Sequence, residues 1–333
     1  MNSFGRLFRV NIFGESHGNG VGITIDGCPA GIPLDINDFN SDMQRRKSGA
    51  KGTTPRTEDD IPEILSGIFE GKTTGAPITV FIKNSNTKSK DYSAFRQIPR
   101  PGHADFTASQ KYFGFEDYRG SGHFSGRLTA AVTAAGVVAK KIIAPIIVSA
   151  NILEIGGRTD WENALEQAIE EKDSLGGLLG CKITGLPVGL GVPFFDSVES
   201  VVSHIVFSIP AVKAIEFGAG FKAANMKGSE HNDRFINTSG KTDTNNAAGI
   251  NGGITTGNDI VFRIAVKPTS SIGKPQETIN IITGGMGTLK TEGRHDTCIA
   301  LRVPPVLEAV TAIALADLIL IRNSQICRNS NEK

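Results

Sequence analysis

Residues 128–143 read LTAAVTAAGVVAKKII, and residues 305–321 read PVLEAVTAIALADLILI. Both stretches predict helices that are apolar on nearly every side, and such helices belong in a core that covers them from several directions. Strand patterns are also plentiful, for example LFRVNIF at 7–13 and ITVFIK at 78–83. The economical arrangement is an α+β fold, a β-α-β sandwich in which a buried helical layer lies between two antiparallel sheets.

Capping residues predict two further helices. Asp35 can cap a helix over residues 36–46, because its side chain can accept hydrogen bonds from free backbone N–H groups. Thr159 and Glu162 have the spacing of a capping box ahead of a second helix. That second helix has a charged outer face and an apolar inner face, as expected for a helix on the surface of a core.

The chain also repeats a set of signals in the same order. IDGCPAG at 25–31 resembles ITGLPVG at 183–189, and in each part a glycine-bounded segment leads into a strand and then to an apolar helix. This repetition predicts one domain over 1–333 with two similar halves, about 20–143 and 178–321, related by a pseudo-twofold axis. Coincidence between common turn sequences is the alternative explanation.

The charge balance argues against a nucleic-acid-binding protein. The 333 residues include 35 Lys and Arg and 34 Asp and Glu, a formal net charge of +1, whereas a non-specific nucleic-acid binder usually has a clear basic excess. A hydrophobic content of 39% excludes a disordered chain. The 39 glycines indicate many tight turns or close backbone approaches to a ligand.

The four cysteines, Cys28, Cys181, Cys298 and Cys327, are far apart and form no C-x-x-C pair. This spacing disfavours a zinc site or a disulfide scaffold and suits a reducing compartment. The sequence begins without a secretory signal pattern. The most apolar stretch, 128–150, is interrupted by lysines and a proline, which argues against a membrane span. We therefore predict a soluble, cytoplasmic protein with no membrane partner and no bound metal.

Three histidines occur near glycines in turn-like sequences. His17 follows a strand in GESHG, His103 lies in RPGHAD, and His295 lies in GRHD. Glycine lets the backbone approach a ligand closely, and an imidazole can transfer protons near neutral pH. One such histidine is more often a solvated turn residue, but three in one chain weaken that interpretation. GESHG has G-x-S-x-G spacing, but adjacent residues such as Ser16 and His17 seldom form a nucleophile–base pair, so a serine hydrolase is not indicated.

Arginines concentrate at glycine-rich turns and just before the apolar helices. They are Arg45, Arg46, Arg56, Arg100, Arg127 and Arg294. Guanidinium forks bind phosphate and carboxylate oxygens in bidentate fashion, and a helix N-terminus adds free N–H groups. KPTSS at 267–271 adds hydroxyls and an ammonium, although no P-loop motif is present. The pattern predicts a small, highly anionic ligand, because dispersed surface arginines would show no such preference.

Together the motifs resemble the chorismate synthase family along nearly the whole chain. In chain order they are FGESHG (13–18), DGCPAGIPL (26–34), RPGHAD (100–105), DYRGSGHFSGR (117–127), PAVKAIEFGAGF (210–221), GINGGITTG (249–257), KPTSS (267–271) and GRHD (293–296). The resemblance implies a lyase that converts 5-enolpyruvylshikimate 3-phosphate to chorismate and phosphate by an anti 1,4-elimination. It also implies reduced FMN as cofactor, a β-α-β sandwich and a homotetramer.

The same resemblance assigns roles to individual residues. His17 matches the histidine thought to protonate the departing phosphate, and His103 matches the histidine at the flavin. Asp296, aided by Ser16, matches a pair proposed to deprotonate flavin N5. The implied substrate-binding residues are Arg45, Arg46, Arg56, Arg100, Ser125, Arg127 and Arg294. The implied FMN-binding residues are His123, Phe124, Ser125, Pro210, Ala211, Gly252, Lys267, Pro268, Thr269, Ser270, Ser271 and Arg294.

Two other functions stay open from the residues alone. Another FMN-dependent enzyme acting on a phosphorylated polyanion would share the FMN contacts but not the whole arginine set. A binding or scaffolding protein would not require His17, His103 and Asp296 together. The route of flavin reduction is open as well, because fungal members of the family use NADPH themselves and many bacterial members do not. A separate flavin reductase is therefore a candidate partner.

Overall fold

The computed structural model describes residues 1–87, 89–291 and 295–325. The strands are β1 (Ser3–Phe4), β2 (Arg9–Gly14), β3 (Gly20–Asp26), β4 (Pro62–Ser66), β5 (Ile68–Phe69), β6 (Lys72–Thr73), β7 (Ile78–Lys83), β8 (Ile147–Ile155), β9 (Gly177–Thr184), β10 (Val212–Phe217), β11 (Ile250–Asn251), β12 (Ile254–Thr255), β13 (Ile260–Val266), β14 (Gln276–Ile279) and β15 (Met286–Leu289). The α-helices are α1 (Asn40–Arg46), α2 (Asp105–Lys111), α3 (Thr129–Ile143), α4 (Glu162–Glu170), α5 (Val198–Val206), α6 (Gly228–His231) and α7 (Pro304–Gln325). Short 3-10 helices cover Ile36–Phe39, Ser89–Arg96, Arg119–Phe124, Gly126–Leu128, Phe194–Asp196, Gly220–Asn225 and Ile299–Arg302.

Two antiparallel sheets contain most of the longer strands. One has the strand order β1-β2-β3-β7-β4, and the other has the order β10-β13-β9-β8. In β7, Ile78, Val80 and Ile82 are buried, whereas the residues between them are partly exposed. This alternation gives the sheet one apolar face that can pack on helices. The mixed α/β composition with antiparallel sheets agrees with the sequence-based prediction.

Helices α3 and α7 pack against each other in the interior. Helix α3 also contacts β3 and β7 of the first sheet, and α7 contacts β8 of the second. The helices approach closely at Gly136, where an added Cβ would lie 2.3 Å from the Cβ of Ala309. The buried helices predicted over 128–143 and 305–321 are confirmed by α3 and α7, although α7 is longer than predicted.

Among the described residues, α7 is the helix that is long and apolar enough to cross a membrane by length and composition. However, 78% of its most apolar window is buried inside the protein. Its two buried carboxylates also bind other parts of the chain. Glu308 pairs with Lys140 at 3.0 Å, and Asp317 accepts a hydrogen bond from the backbone N–H of Leu7 at 2.7 Å. Helix α7 is thus an interior helix of this fold.

Asp35 caps the helical segment that ends with two of the predicted arginines, Arg45 and Arg46. Asp35 accepts a hydrogen bond of 2.9 Å from the backbone N–H of Asn37, as predicted. The single helix predicted over 36–46 is instead a 3-10 turn followed directly by α1. Arg45 and Arg46 therefore lie in the last turn of α1, where the chain enters a long loop.

The predicted capping box before α4 is wrong. The helix begins at Glu162, with Trp161 at the N-cap position and no side-chain cap. Backbone hydrogen bonds between Ile155 and Arg158, at 3.0 and 3.1 Å, close a tight turn just before this point. That turn delays the helix, so Thr159 lies too far upstream to cap it.

Candidate active site

A cavity of about 490 Å³ lies where several loops meet. Its walls come from the loop after α1, the turns around Arg100 and Ser125, the segment after β13 and the residues that begin α7. Small-molecule sites commonly have volumes of about 300–1,000 Å³. The cavity is therefore large enough for a small organic ligand.

Most of the site residues predicted from the sequence line this cavity. Those predicted to bind substrate or cofactor are Arg46, Arg56, Arg100, Phe124, Ser125, Arg127, Pro210, Ala211, Lys267, Pro268, Thr269, Ser270 and Ser271. Of the four residues predicted to be catalytic, His103 and Asp296 line the cavity, whereas Ser16 and His17 are buried beside residues that line it. Arg294 lies outside the described residues.

Three of the described residues predicted to bind substrate or cofactor are not among those that line the cavity. Arg45 forms a two-pronged ion pair with Glu308, at 2.7 and 2.8 Å, because consecutive helical residues point about 100° apart and Arg46 takes the inward direction. The ring of His123 is 2.9 Å from the carbonyl oxygen of Gly14. Gly252 lies in the turn between β11 and β12. These three assignments stay predictions that the cavity does not support.

His17 lies in a tightly packed environment among charged side chains. An added Cβ at Gly120 would come within 2.3 Å of the imidazole, and Gly120 has a φ of +58°, so this position requires glycine. Tyr92, which lines the cavity, contacts the His17 ring edge to face at 5.2 Å between centroids. Burial, followed by Arg56 and Arg119, lowers the pKa of His17 from 6.5 to about 4. In these surroundings the imidazole is neutral at pH 7.

Ser16 is connected to the cavity through Arg56. The Arg56 guanidinium donates to Ser16 Oγ at 3.0 Å and to the Ser16 carbonyl oxygen at 3.2 Å. Arg56 Nε also donates to Glu58 at 2.9 Å. Arg56 also lines the cavity. It therefore connects a ligand in the cavity to the turn that carries Ser16 and His17.

Asp105 joins Arg100 and His103 in another part of the wall. The Arg100 guanidinium donates to both carboxylate oxygens of Asp105, at 2.8 and 2.7 Å. Nδ1 of His103 lies 2.7 Å from the same carboxylate. Burial alone would raise the pKa of Asp105, but hydrogen bonds from Arg100 and His103 hold it well below its usual range. The ionised carboxylate orients both groups, and the sequence analysis missed it although it lies within the RPGHAD motif.

Arg46 and Arg127 share one buried carboxylate, that of Asp60 in the loop after α1. We call these three side chains the Arg46–Asp60–Arg127 triad. The sequence analysis missed Asp60 as well. Residues 58–60 read Glu-Asp-Asp, and nothing in that run marks which carboxylate turns inward.

Asp296 is held by the loop after α1 and by the segment that precedes α7. Its Oδ1 accepts hydrogen bonds from the Thr54 backbone N–H at 3.0 Å and from Arg302 at 3.4 Å. Arg302 also donates to the carbonyl oxygen of Arg46 at 3.1 Å and lines the cavity. Arg302 is a further arginine that the sequence analysis missed. A signal was present, because Arg302 comes just before an apolar helix, as Arg127 does.

Hydroxyl and ammonium groups cluster just after β13. Lys267 Nζ donates to Ser270 Oγ at 3.1 Å, and Ser270 Oγ donates to the carbonyl oxygen of Gly102 at 2.7 Å. The nearby Thr269 Oγ1 is shielded from solvent and has no hydrogen-bond partner among the residues that the structure describes. Such a group is suited to the oxygens of an anionic ligand.

Comparisons with known proteins agree with one another on the family of this chain. Residues 8–320 match the family model described as chorismate synthase. A chorismate synthase of Chitinophaga pinensis is 62% identical over 332 residues, which cover 99% of this chain and 100% of that protein. One of Dehalococcoides mccartyi is 46% identical over 96% of each chain. A crystal structure of a chorismate synthase matches with a TM-score of 0.72 and 27% identity over 96% of this chain and 93% of that one. The chain therefore belongs to the chorismate synthase family, a family of lyases.

Proposed function

We propose that this chain converts 5-enolpyruvylshikimate 3-phosphate to chorismate and phosphate in the cavity described above. The observation that carries this proposal is the set of arginines around one cavity. They are Arg46, Arg56, Arg100, Arg127 and Arg302. The substrate has one phosphate and two carboxylates, and guanidinium forks bind such groups in bidentate fashion.

The reaction is an anti 1,4-elimination. One C–O bond to phosphate and one C–H bond break, and a new double bond forms, with no net gain or loss of electrons. We assign His17 as the general acid for the departing phosphate. Because the pKa of His17 is about 4, this role requires the anionic substrate to raise it, as a neighbouring negative charge does for an imidazole.

The residues around the cavity fit reduced FMN as the cofactor. Thr269 Oγ1, without a partner among the described residues, is available to a phosphate oxygen, and Lys267 and Ser270 lie beside it. Phe124 and Pro210 supply apolar surface in the same cavity. When bound, reduced FMN supplies electron density to the substrate transiently, with none consumed overall.

Asp296 and His103 are the groups that we assign to proton transfer beside the cofactor. The Asp296 carboxylate is fixed by Thr54 and Arg302, and the His103 imidazole is fixed by Asp105. Both line the cavity. Groups held in this way keep one orientation, which general acid–base catalysis requires.

An anaerobic assay with purified protein, substrate and reduced FMN tests the proposed function. We expect chorismate and inorganic phosphate in equal amounts, and neither product with oxidised FMN under the same conditions. Folded, FMN-bound protein that forms no chorismate would contradict the proposal. A different product released from a phosphorylated polyanion would favour the other flavin-dependent activity considered from the sequence.

We also propose that the protein is a cytoplasmic homotetramer. Adjacent Phe194 and Phe195 are 88% and 92% exposed, and large exposed apolar side chains suit burial against another copy. Mass measurement in solution tests the oligomeric state. Chorismate formation with oxidised FMN and NADPH alone would assign flavin reduction to this chain, whereas dependence on an added reductase would assign it to a partner.

The β-α-β sandwich and the internal duplication are proposals of the same kind. In each half an antiparallel strand pair, β3–β7 or β9–β13, accompanies one long buried helix, α3 or α7. The similar turns at 25–31 and 183–189 follow β3 and β9 in turn. This shared order supports two similar halves around a helical layer, and superposition of 20–143 on 178–321 tests it.

A further inference from the structure

We propose that Asp60 is a positioning residue, a built-in counter-ion that fixes Arg46 and Arg127 for the substrate and limits how tightly they bind other anions. The inference rests on the proposed function for the identity of the substrate. Its main measurement uses inorganic phosphate and needs no turnover, so the two proposals can fail separately.

The Asp60 carboxylate lies between the two guanidinium groups. One carboxylate oxygen accepts a hydrogen bond from Arg46 Nη2, and the other accepts one from Arg127 Nη1. The side chains of Asp60, Arg46 and Arg127 are only 2%, 3% and 5% exposed. Water therefore screens these charges weakly, and Asp60 is the carboxylate that both arginines contact.

Neutral partners complete the orientation of each guanidinium. Arg127 Nε donates to Asn84 Oδ1 at 3.0 Å, and Arg46 Nη1 donates to Thr129 Oγ1 at 3.3 Å. Asp60 is the charged partner that the two arginines have in common. Both arginines also line the cavity. Asp60 therefore sets the orientation in which their guanidinium groups would contact a ligand.

The charge of the triad follows from its members. Burial alone would raise the pKa of Asp60, but Arg46 and Arg127 lower it, so the carboxylate is ionised at neutral pH. Two guanidinium groups and one carboxylate carry a net charge of +1 (+2 − 1). Without the carboxylate the pair would repel each other and would attract any small anion that enters the cavity. Asp60 therefore weakens general anion binding while it fixes the two forks.

Asp60→Asn removes this charge with little change in shape. The backbone φ of Asp60 is +50°, a conformation that Asn adopts more readily than most residues. The neighbouring Asp59 is exposed. Asp59→Asn is therefore a matched control, because it makes the same change in net charge outside the triad.

The test combines calorimetric titration with inorganic phosphate and steady-state assays with the substrate and reduced FMN. We expect Asp60→Asn to bind phosphate at least about tenfold more tightly than the wild type, because a buried negative charge is gone. We expect its kcat to fall by about tenfold to a hundredfold, because the two forks are no longer held in the productive direction. Asp59→Asn should match the wild type in both measurements.

Unchanged phosphate affinity in Asp60→Asn overturns the proposal, and so does a lower kcat without tighter phosphate binding, since that pattern is ordinary structural damage. If Asp60→Asn does not fold, Asp60→Gly decides, because glycine readily adopts the φ of +50° found at this position and also removes the charge. It should bind phosphate at least about tenfold more tightly than the wild type, and wild-type phosphate affinity overturns the proposal. A wild type that forms no chorismate refutes the proposed function, but the phosphate comparison still decides the role of Asp60.

Discussion

The interface between α3 and α7 and the Arg46–Asp60–Arg127 triad are both almost free of solvent, yet opposite interactions hold them. At the helix interface Gly136 faces Ala309, and most buried side chains are Ala, Val, Ile or Leu. In the triad three charged side chains are at most 5% exposed. The first region is stabilised by the removal of apolar surface from water, and the second by pairing of charges at short range.

The two regions are therefore sensitive to different kinds of substitution. Apolar packing has no preferred direction but responds to volume, because interiors are close-packed. Charged groups respond to the loss of a partner and hold their directions only while partners remain. We therefore expect substitutions at the helix interface to change stability and substitutions at the cavity to change activity, and three predictions test this separation.

The largest effect is expected at His17, beside the cavity. His17→Ala should lower kcat by about 10²–10⁴ through loss of general acid catalysis, while the protein stays folded and still binds FMN. The anaerobic chorismate assay measures kcat, and fluorescence titration of the flavin measures FMN binding. His204→Ala is the matched control, since His204 is exposed and contacts Phe4 outside the cavity. Turnover of His17→Ala at the level of this control would reject the assigned role.

A smaller effect of the opposite kind is expected at the helix interface. In Gly136→Ala the new methyl group would lie 2.3 Å from the Ala309 Cβ, so the helices must separate. Overpacking of this kind typically costs about 1–3 kcal/mol, which chemical denaturation would measure, and kcat per folded molecule should stay near the wild type. Gly228→Ala is the control, because Gly228 is also helical but has nothing within 4 Å of its added Cβ. Equal unfolding free energies for the two variants would show that the interface tolerates the extra volume.

The same comparison explains how far the sequence predicts the structure. The two interior helices follow from their apolar pattern, because a helix that is apolar on nearly every side is stable only where apolar surroundings cover it. Asp60 could not be found in this way. Its contact with Arg46 and Arg127 depends on the path of an irregular loop, which no periodic pattern describes. Helical phase could have separated Arg45 from Arg46, since neighbours on α1 cannot point to the same side.

The resemblance to a known family supplied positions that periodicity could not. Phe124 and Pro210 belong to segments far apart in the chain, and both line the cavity. It could not supply the partners that hold those positions. Asp105 acts through Arg100 and His103, so a prediction based on direct ligand contacts omits it. Such supporting residues become visible only when the fold brings distant segments together.

The third expected effect is a pH dependence of stability that comes from His17. Burial, with Arg56 and Arg119, lowers the pKa of His17 from 6.5 to about 4. Between pH 4 and 6.5 the unfolded chain therefore binds more protons than the folded one, and stability rises with pH. Denaturation at several pH values should give His17→Gln a shallower slope than the wild type, by at most about one proton. Gly136→Ala should be less stable at every pH with the wild-type slope, because no titrating group has changed. Equal slopes for all three proteins would mean that His17 has the same pKa in the folded and unfolded chain. The expected contrast between the helix interface, which responds to volume, and the site, which responds to charge, would then be wrong for His17.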